Sequence, residues 1–596
     1  MSVLVATNRW RYFQGHVFGM QQPSMLGSIQ VETVDVAALE SLDGMMNAVV
    51  VNPYAEDDLD ASVPLRLIDR LIYWTGEFQR QARIPVSRDH LRWLQPTAPP
   101  GGPLTVKVAL PVASRQAVSL ALNAAISMIN SGLKPQKEAP PADAVAKTYA
   151  RLSDSLKPLA APGFNHLHLL DAAFRLRVPV TAIDSSKIRL GTGSRAHVVE
   201  STVTDETTAI GLSLSQDKLL TAHVLREIGL PVPKHALVTS ADQALQVAQT
   251  LGYPVVVKPS NLDQGKGVWA NLRSSDNLVA AYDHAKTLSN RILVEKHVPG
   301  FGHRLTVFRG ELLAVLKRVP GGVVGDGQRS VEQLVAIRAE DPQVRRNLNL
   351  GRVKLDAEAL AMLNEQRLTR NHVPASGEFI VLRRKDNISA GGTTVQLTPS
   401  DVHPDNRQLA VRAAKALYLD LAGVDVLIPD ISVSWKVAGG VVCEVNGRPQ
   451  FGPGQNGDNY LRLITQLTGG CPRIPVHLHI CGDPETASDS ARLETIRLRL
   501  GCQALSSRHG VWLDGICHAT RFANSYSAAR AALADRDIDS LVMSLSTPEI
   551  VANGLPVDLV NSITVSPMDT WPHNAQALLE DALRMTGYSR PDVQFE

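Results

Sequence analysis

Gly423-Val-Asp425-Val426 lies in an apolar run that continues to Ile428, and Cys443-Glu444-Val-Asn446 ends a second one. Both runs read as strands. Alternate side chains leave the same face of a strand, so Glu444 and Asn446 project together. Asp425 on the first run completes the group. Two carboxylates and an amide oxygen converging from adjacent strands form a hard-oxygen site suited to Mg²⁺ holding nucleotide phosphates. The plainer alternative is a pair of core strands with polar residues at their ends, which Glu-x-Asn alone would favour.

The residues upstream favour the metal reading. Ser215-Gln-Asp-Lys218 opens a segment whose Leu219, Leu220, Leu225 and Ile228 have helical spacing and which stops at Gly229. Pro254-Val-Val-Val-Lys258 predicts a buried strand ending in a lysine. Next comes a glycine-rich loop, with Gly265, Lys266 and Gly267, of the composition that folds over phosphates through backbone N–H groups. Ile292-Leu-Val-Glu295-Lys-His-Val-Pro-Gly300 reads as another apolar strand, whose end offers Glu295 and backbone groups to an adenine edge. Each element alone is weak evidence; the ordered series is far more specific.

That order resembles the ATP-grasp superfamily. A closer likeness lies in Ser-Gln-Asp-Lys218, Val-Val-Val-Lys258-Pro, Gly265-Lys-Gly-Val, Gly302-His303-Arg304-Leu, Gly325-Asp-Gly327, Asn387-Ile-Ser389-Ala-Gly391-Gly392-Thr, Val402-His-Pro404, Ala422-Gly-Val-Asp425 and Glu444-Val-Asn446. These resemble the ATP-grasp half of the cyanophycin synthetases, which build a polymer with an aspartate backbone and arginine side chains. The likeness is dense over residues 160–470. It is fainter before 150, where Asn8-Arg9-Trp10 is similar to the start of that family's N-terminal domain.

The resemblance implies ATP and Mg²⁺ as cofactors and acyl phosphate chemistry at a carboxylate. Lys218, Lys258, Gly265, Lys266, Gly267, Glu295, Lys296 and Val298 would hold the nucleotide, and Asp425, Glu444 and Asn446 the metal. Arg304 is a candidate fork for a substrate carboxylate and Arg383 for a phosphate or carboxylate, since guanidinium binds such oxyanions bidentately. Ser389 with the Gly391-Gly392 backbone would cradle the anion of a tetrahedral intermediate. The resemblance also implies substrate contacts from Ser215, His303, Arg304, Asn387, Ser389, Gly391 and Gly392. Departures from the family pattern are Gly302 in place of an acidic residue, Gln264 in place of a histidine, and Gly447-Arg-Pro-Gln450 in place of small residues.

The tail departs further. In two-ligase relatives it resembles a Mur ligase and carries a Gly-Thr-Asn-Gly-Lys-Thr phosphate loop. Here the strand at 474–480 runs into Cys481-Gly-Asp483-Pro-Glu485-Thr, without the lysine and with acids that repel phosphate. Only 510–514, 537–543 and the turn at 554–558 still look Mur-like. The tail is therefore expected to be a shortened module without its own ATP site. Its expected use is to bury a face of the ATP-grasp domain or a subunit interface. His477, His479 and Cys481 alternate along its first strand, a pattern open to zinc but with no fourth ligand in sight.

The expected architecture is α/β and α+β multidomain. It comprises an N-terminal α/β domain (1–145), an ATP-grasp ligase domain (146–470) and the inactive Mur-like module (471–596). The first part mixes strands at 48–51 and 104–110 with helices at 65–78 and 115–129, and 135–141 is a linker by composition. Residues 330–363 read as charged helices; Arg345, Arg346 and Arg352 there suit a solvated face better than contact with an anionic chain. The 596 residues suffice for several domains, and a net charge of +2 argues against bulk electrostatic binding of nucleic acid. No apolar stretch has the length of a membrane span, and the five scattered cysteines do not suggest a disulfide scaffold. A cytoplasmic homo-oligomer, dimer or higher, is expected, acting on a peptide or polymer primer and a dipeptide, with no nucleic acid and no membrane partner. The degenerate tail points to the second type of cyanophycin synthetase, which joins ready-made β-aspartyl-arginine dipeptides. Alternatives are a relative that ligates another amino acid or dipeptide, and a non-catalytic nucleotide-binding scaffold for a partner synthetase.

Overall fold

The runs around Asp425 and Glu444 are adjacent antiparallel strands, Leu421–Ile428 and Val441–Asn446. They close one side of an antiparallel sheet ordered Thr393–Leu397, Glu311–Val319, Phe301–Phe308, Leu421–Ile428, Val441–Asn446. Helix Pro404–Ala416 lies on it, and Leu409, Ala410 and Ala413 join Leu305, Val315, Val424 and Val426 in one apolar core. The computed structural model describes the chain except residues 1–2, 8–9, 56–59, 89–90, 95–102, 135–141, 263–265, 341–352, 385–390, 452–457, 483–486, 588–592 and 596. Residues 202–463 form one compact unit; 1–201 and 464–596 together form the other.

A second sheet of the 202–463 unit is ordered His235–Val238, Ile292–Lys296, Val255–Pro259, Trp269–Leu272, again antiparallel. Val255 and Val257 point into a core shared with helices Ala241–Leu251 and Ser275–Leu288. Strand alternation therefore sends Val256 and Lys258 to the opposite face. Ser240 and Ser274 start the two helices by accepting hydrogen bonds from Gln243 N and Asn277 N. A smaller cluster joins the strand pair Gly322–Val324 and Phe379–Val381 to helices Val331–Glu340 and Ala357–Glu365.

In the other unit, Ser24–Val31 and Leu104–Pro111 pair at the centre of an antiparallel sheet. Helices Val36–Asn47, Val63–Gln81 and Arg115–Gly132 cover it. The strand expected at 48–51 does not form. Those residues are the turn that ends helix Val36–Asn47, with Val50 buried in the helical core. A short apolar run has the same signature in either setting. The expected linker at 135–141 lies outside the described residues, as do Arg345, Arg346 and Arg352.

The tail contributes a seven-stranded sheet in which Val476–Cys481 lies between the parallel strands Leu541–Ser546 and Ser562–Val565. Its core takes in Phe13 and Val17, and residue 16 bridges to Leu555. His477 and His479 meet the hydroxyls of Ser562 (2.7 Å) and Thr564 (2.8 Å) through Nδ1. Among the described residues no group of His, Cys, Asp and Glu has the placement of a metal site. Asp483 and Glu485 lie outside the described residues. Just past the strand, a Cβ on Gly482 would stand 2.4 Å from Cγ of the buried Trp571, whose indole N–H donates to Ser566 Oγ at 3.0 Å. An indole thus fills the space over the first residue of the loop. Gly482→Ala should overpack this spot and cost about 1–3 kcal/mol, measured by denaturant unfolding.

Candidate nucleotide site

Arg304, Asp425 and Glu444 occupy directly opposed positions on three neighbouring strands, which puts their side chains on one face. Gly423 makes room for the first of them. A Cβ there would lie 2.9 Å from Arg304 Cδ and 2.8 Å from Pro449 Cβ. Arg304 grips Asp425 with both prongs: Nε donates to Oδ1, and Nη2 to Oδ2 at 2.9 Å. Arg318 adds Nη2 at 3.3 and 3.2 Å from the two oxygens. Burial pushes the Asp425 carboxyl up, but the two guanidiniums override it and hold it below the usual carboxylate range. Asn446 donates weakly from Nδ2 to Gly423 O (3.4 Å) and Asp425 Oδ2 (3.5 Å), which leaves its carbonyl oxygen available.

The lysines approach from other elements. Lys218 is the first residue of helix Lys218–Glu227, which Asp217 caps by accepting from Leu219 N (2.8 Å) and Leu220 N (3.2 Å). Its Nζ stands 3.3 Å from Glu444 Oε1 and donates to Leu262 O at 2.9 Å. Lys258 Nζ lies 2.7 Å from Glu295 Oε1. Burial lowers the Lys258 pKa, yet Glu295 beside it more than compensates, so the ammonium is held above its ordinary value. Lys218, Lys258, Arg304 and Arg318 outnumber Asp425, Glu444 and Glu295, so the site carries surplus positive charge suited to a polyphosphate.

The same geometry tests the fit of Mg²⁺. Glu444, the Asn446 carbonyl oxygen and the lone pairs of Asp425 not facing arginine are hard oxygens on one face. They would suit a cation that arrives with phosphate, whose oxygens would offer the lysines and arginines an alternative to the carboxylates.

Some features escaped the sequence reading. Arg318 ends a strand beside Lys317 and reads as a solvated terminus. Cys443 should face away from Glu444, but Asp425 pairs with Glu444 while Val426 pairs with Val442, so Cys443 is the extra residue of a bulge. Its half-buried thiol sits in the field of Lys258, Glu295 and Asp425, and desolvation pushes its pKa up to about 12, so it stays protonated.

Other candidates are placed elsewhere or differently. Ser215 donates to Leu212 O (2.9 Å), an intrahelical bond. Lys296 caps a carbonyl pair, Gly252 O (2.9 Å) and Tyr253 O (3.2 Å). Val298 is half-buried beyond the same strand, Lys266 is exposed, and Gly267 (φ +70) packs against Pro259. Gly391 O accepts from Arg338 Nη2 (3.0 Å), and Gly392 is buried. Gly265, Asn387 and Ser389 lie outside the described residues. Arg383 is buried in the smaller cluster, bidentate on Asp356 at 3.0 and 2.9 Å. Arg383→Gln should therefore cost about 2 kcal/mol and speed amide exchange in strands Gly322–Val324 and Phe379–Val381. A rate loss without either effect would instead mark a substrate contact.

His303 is buried, with Nδ1 bonded to Phe301 O at 2.9 Å, and burial lowers its pKa to about 4. The unfolded chain takes up a proton near pH 6.5 that the fold refuses until about pH 4. Stability should fall across that window as pH drops, by up to about 3 kcal/mol. Comparing denaturation of wild type and His303→Gln from pH 7 to 4 isolates this slope, which the variant should lack.

Residues 223–324 match the ATP-grasp domain model, a span that includes Lys258, Glu295, Arg304 and Arg318. The cyanophycin synthetase of Crocosphaera subtropica is 31% identical over 385 residues, 63% of this chain and 42% of its own length. That of a Nostoc species is 35% identical over 267 residues, 44% of this chain and 30% of its own. The glutathione biosynthesis bifunctional protein GshAB of Streptococcus agalactiae is 34% identical over 258 residues, 40% of this chain and 34% of its own. The chain thus spans less than half the length of these curated relatives. Residues 223–324 thus carry an ATP-grasp domain, and around it the chain is similar to the cyanophycin synthetases.

Proposed function

We propose that the chain is an ATP-dependent carboxylate–amine ligase that polymerises β-aspartyl-arginine dipeptides into cyanophycin. The observation that carries this reading is the gathering of Lys218, Lys258, Arg304 and Arg318 around Asp425, Glu444 and Asn446. Mg²⁺ bound with ATP supplies further neutralisation of phosphate charge. Lys218 and Lys258 hold phosphate oxygens while a carboxylate oxygen at the C-terminus of the growing polymer attacks the γ-phosphorus and ADP leaves. Phosphoryl transfer depends mainly on such positioning and charge neutralisation. The dipeptide's amine then attacks the acyl carbon, expelling phosphate and losing a proton as the peptide bond forms. Arg304, close to this row, is the candidate fork for the substrate carboxylate once Asp425 shares its charge with a metal.

The tail supports a single ligation chemistry, since its first strand leads to a loop without lysine and Trp571 covers Gly482. Attaching arginine to the aspartate side chain requires its own activated carboxylate. One site serving both carboxylates would have to move its substrate by several ångströms, whereas misplacement by about 1 Å can cost roughly a hundredfold. The modules 1–145, 146–470 and 471–596, a peptide primer, and a cytoplasmic homo-oligomer belong to this proposal. With ATP, Mg²⁺ and a primer, β-aspartyl-arginine should release phosphate and lengthen the product by whole dipeptides, read by mass spectrometry. Free aspartate plus arginine should give neither. Polymer from the free amino acids would overturn the one-site reading; turnover only with another amine would favour a ligase of different specificity.

A further inference from the structure

A cavity of about 260 Å³ opens within the unit of residues 1–201 and 464–596. Its walls come from the hairpin Val180–Ala182 and Lys187–Leu190, the following Gly191-Thr192, His16, helix Ser525–Ala534 and Val557. Thr181 and Arg189 are directly opposed in the hairpin and so share a face. Arg530 enters from the helix. The two guanidiniums feel each other: burial first, and then repulsion from Arg530, lower the Arg189 pKa. Neither makes an ion pair among the described residues. His16 adds no charge at neutral pH, because burial lowers its pKa by more than the bond from its Nδ1 to Met20 O (2.9 Å) raises it. The acid beside it, Asp558, is committed to Arg473, with Nε 3.2 Å from Oδ1.

Two like charges converging on one cavity without a counter-ion destabilise each other unless an anion lies between them. Guanidinium forks select planar oxyanions. Much of the remaining wall is apolar, with Pro179, Val180, Leu533 and Val557, and such a wall favours a hydrocarbon-bearing ligand over a bare hydrated ion. We propose that this cavity binds an organic carboxylate of amino-acid or short-peptide size. The carboxylate lies between Arg189 and Arg530, within reach of the Thr181 hydroxyl, and the hydrocarbon part lies against Leu533 and Val557. The inference does not depend on the ligase reading.

Calorimetric titration of the full chain without nucleotide tests it, with N-acetyl-leucine, N-acetyl-leucinamide and inorganic phosphate as probes. Wild type should bind N-acetyl-leucine at one site, the amide should not bind, and phosphate should bind at least about tenfold more weakly. Arg189→Gln and Arg530→Gln should each weaken N-acetyl-leucine on the order of tenfold, and the double variant should lose it. The melting temperatures of these variants should be unchanged or higher, since each substitution relieves repulsion. Absence of binding to wild type, equal binding by the double variant, or phosphate binding as tightly as N-acetyl-leucine would each overturn the proposal.

Discussion

Asp425→Asn should lower kcat/KM for ligation by roughly a hundred- to a thousandfold and destabilise the fold by about 3 kcal/mol. The activity loss follows from removing the charge that pairs with both arginines and that we propose as a metal ligand. The stability loss follows from burial. Arg304 and Asp425 are each only 12% exposed in their side chains, so neutralising the acid leaves cations in a poorly solvated place. The sequence alone suggests that removing Asp425 spares the fold, since little apolar surface is lost. The paired arginines change that expectation. Urea unfolding with steady-state kinetics separates the effects, and excess Mg·ATP should not rescue the rate. Retention of wild-type turnover would remove Asp425 from the site.

Lys258→Met should have a comparable effect on turnover, with ATP affinity falling too, because its ammonium is the cation on the face opposite the Val255 and Val257 core. It also leaves Glu295 nearly buried without its partner, at a cost of about 3 kcal/mol. The double variant Lys258→Met/Glu295→Gln distinguishes the two roles. It should regain most of the stability, since no unpaired charge remains, yet stay inactive. Recovery of activity together with stability would make the pair a purely structural device.

Strand alternation made much of this site legible. Glu444 and Asn446 share a face because they are two apart, and the apolar run of Asp425 fixes it as the adjoining strand. Lys218 and Lys258 were legible as a helix start and a strand end, positions that sequence punctuation marks well. Cys443 was not, because a bulge shifts alternation by one residue and leaves no signature in composition. Arg318 was missed because a charged strand end looks the same whether it meets water or a buried carboxylate. Arg383 shows the opposite problem. A guanidinium's preference for planar oxyanions says nothing about which oxyanion, and Asp356, 27 residues earlier in the chain, already supplies one. The association of the tail with residues 1–201 was equally hidden, since Phe13 and Val17 carry no mark of the sheet they complete.

Nucleotide stoichiometry tests the central claim most directly. Calorimetric titration of the full chain with the non-hydrolysable analogue AMPPNP and Mg²⁺ should give one nucleotide per chain, and Lys258→Met should weaken that binding severely. The Gly482→Ala variant should bind the same single equivalent, because the tail contributes no phosphate site. Two equivalents per chain, or one that survives Lys258→Met unchanged, would contradict the account.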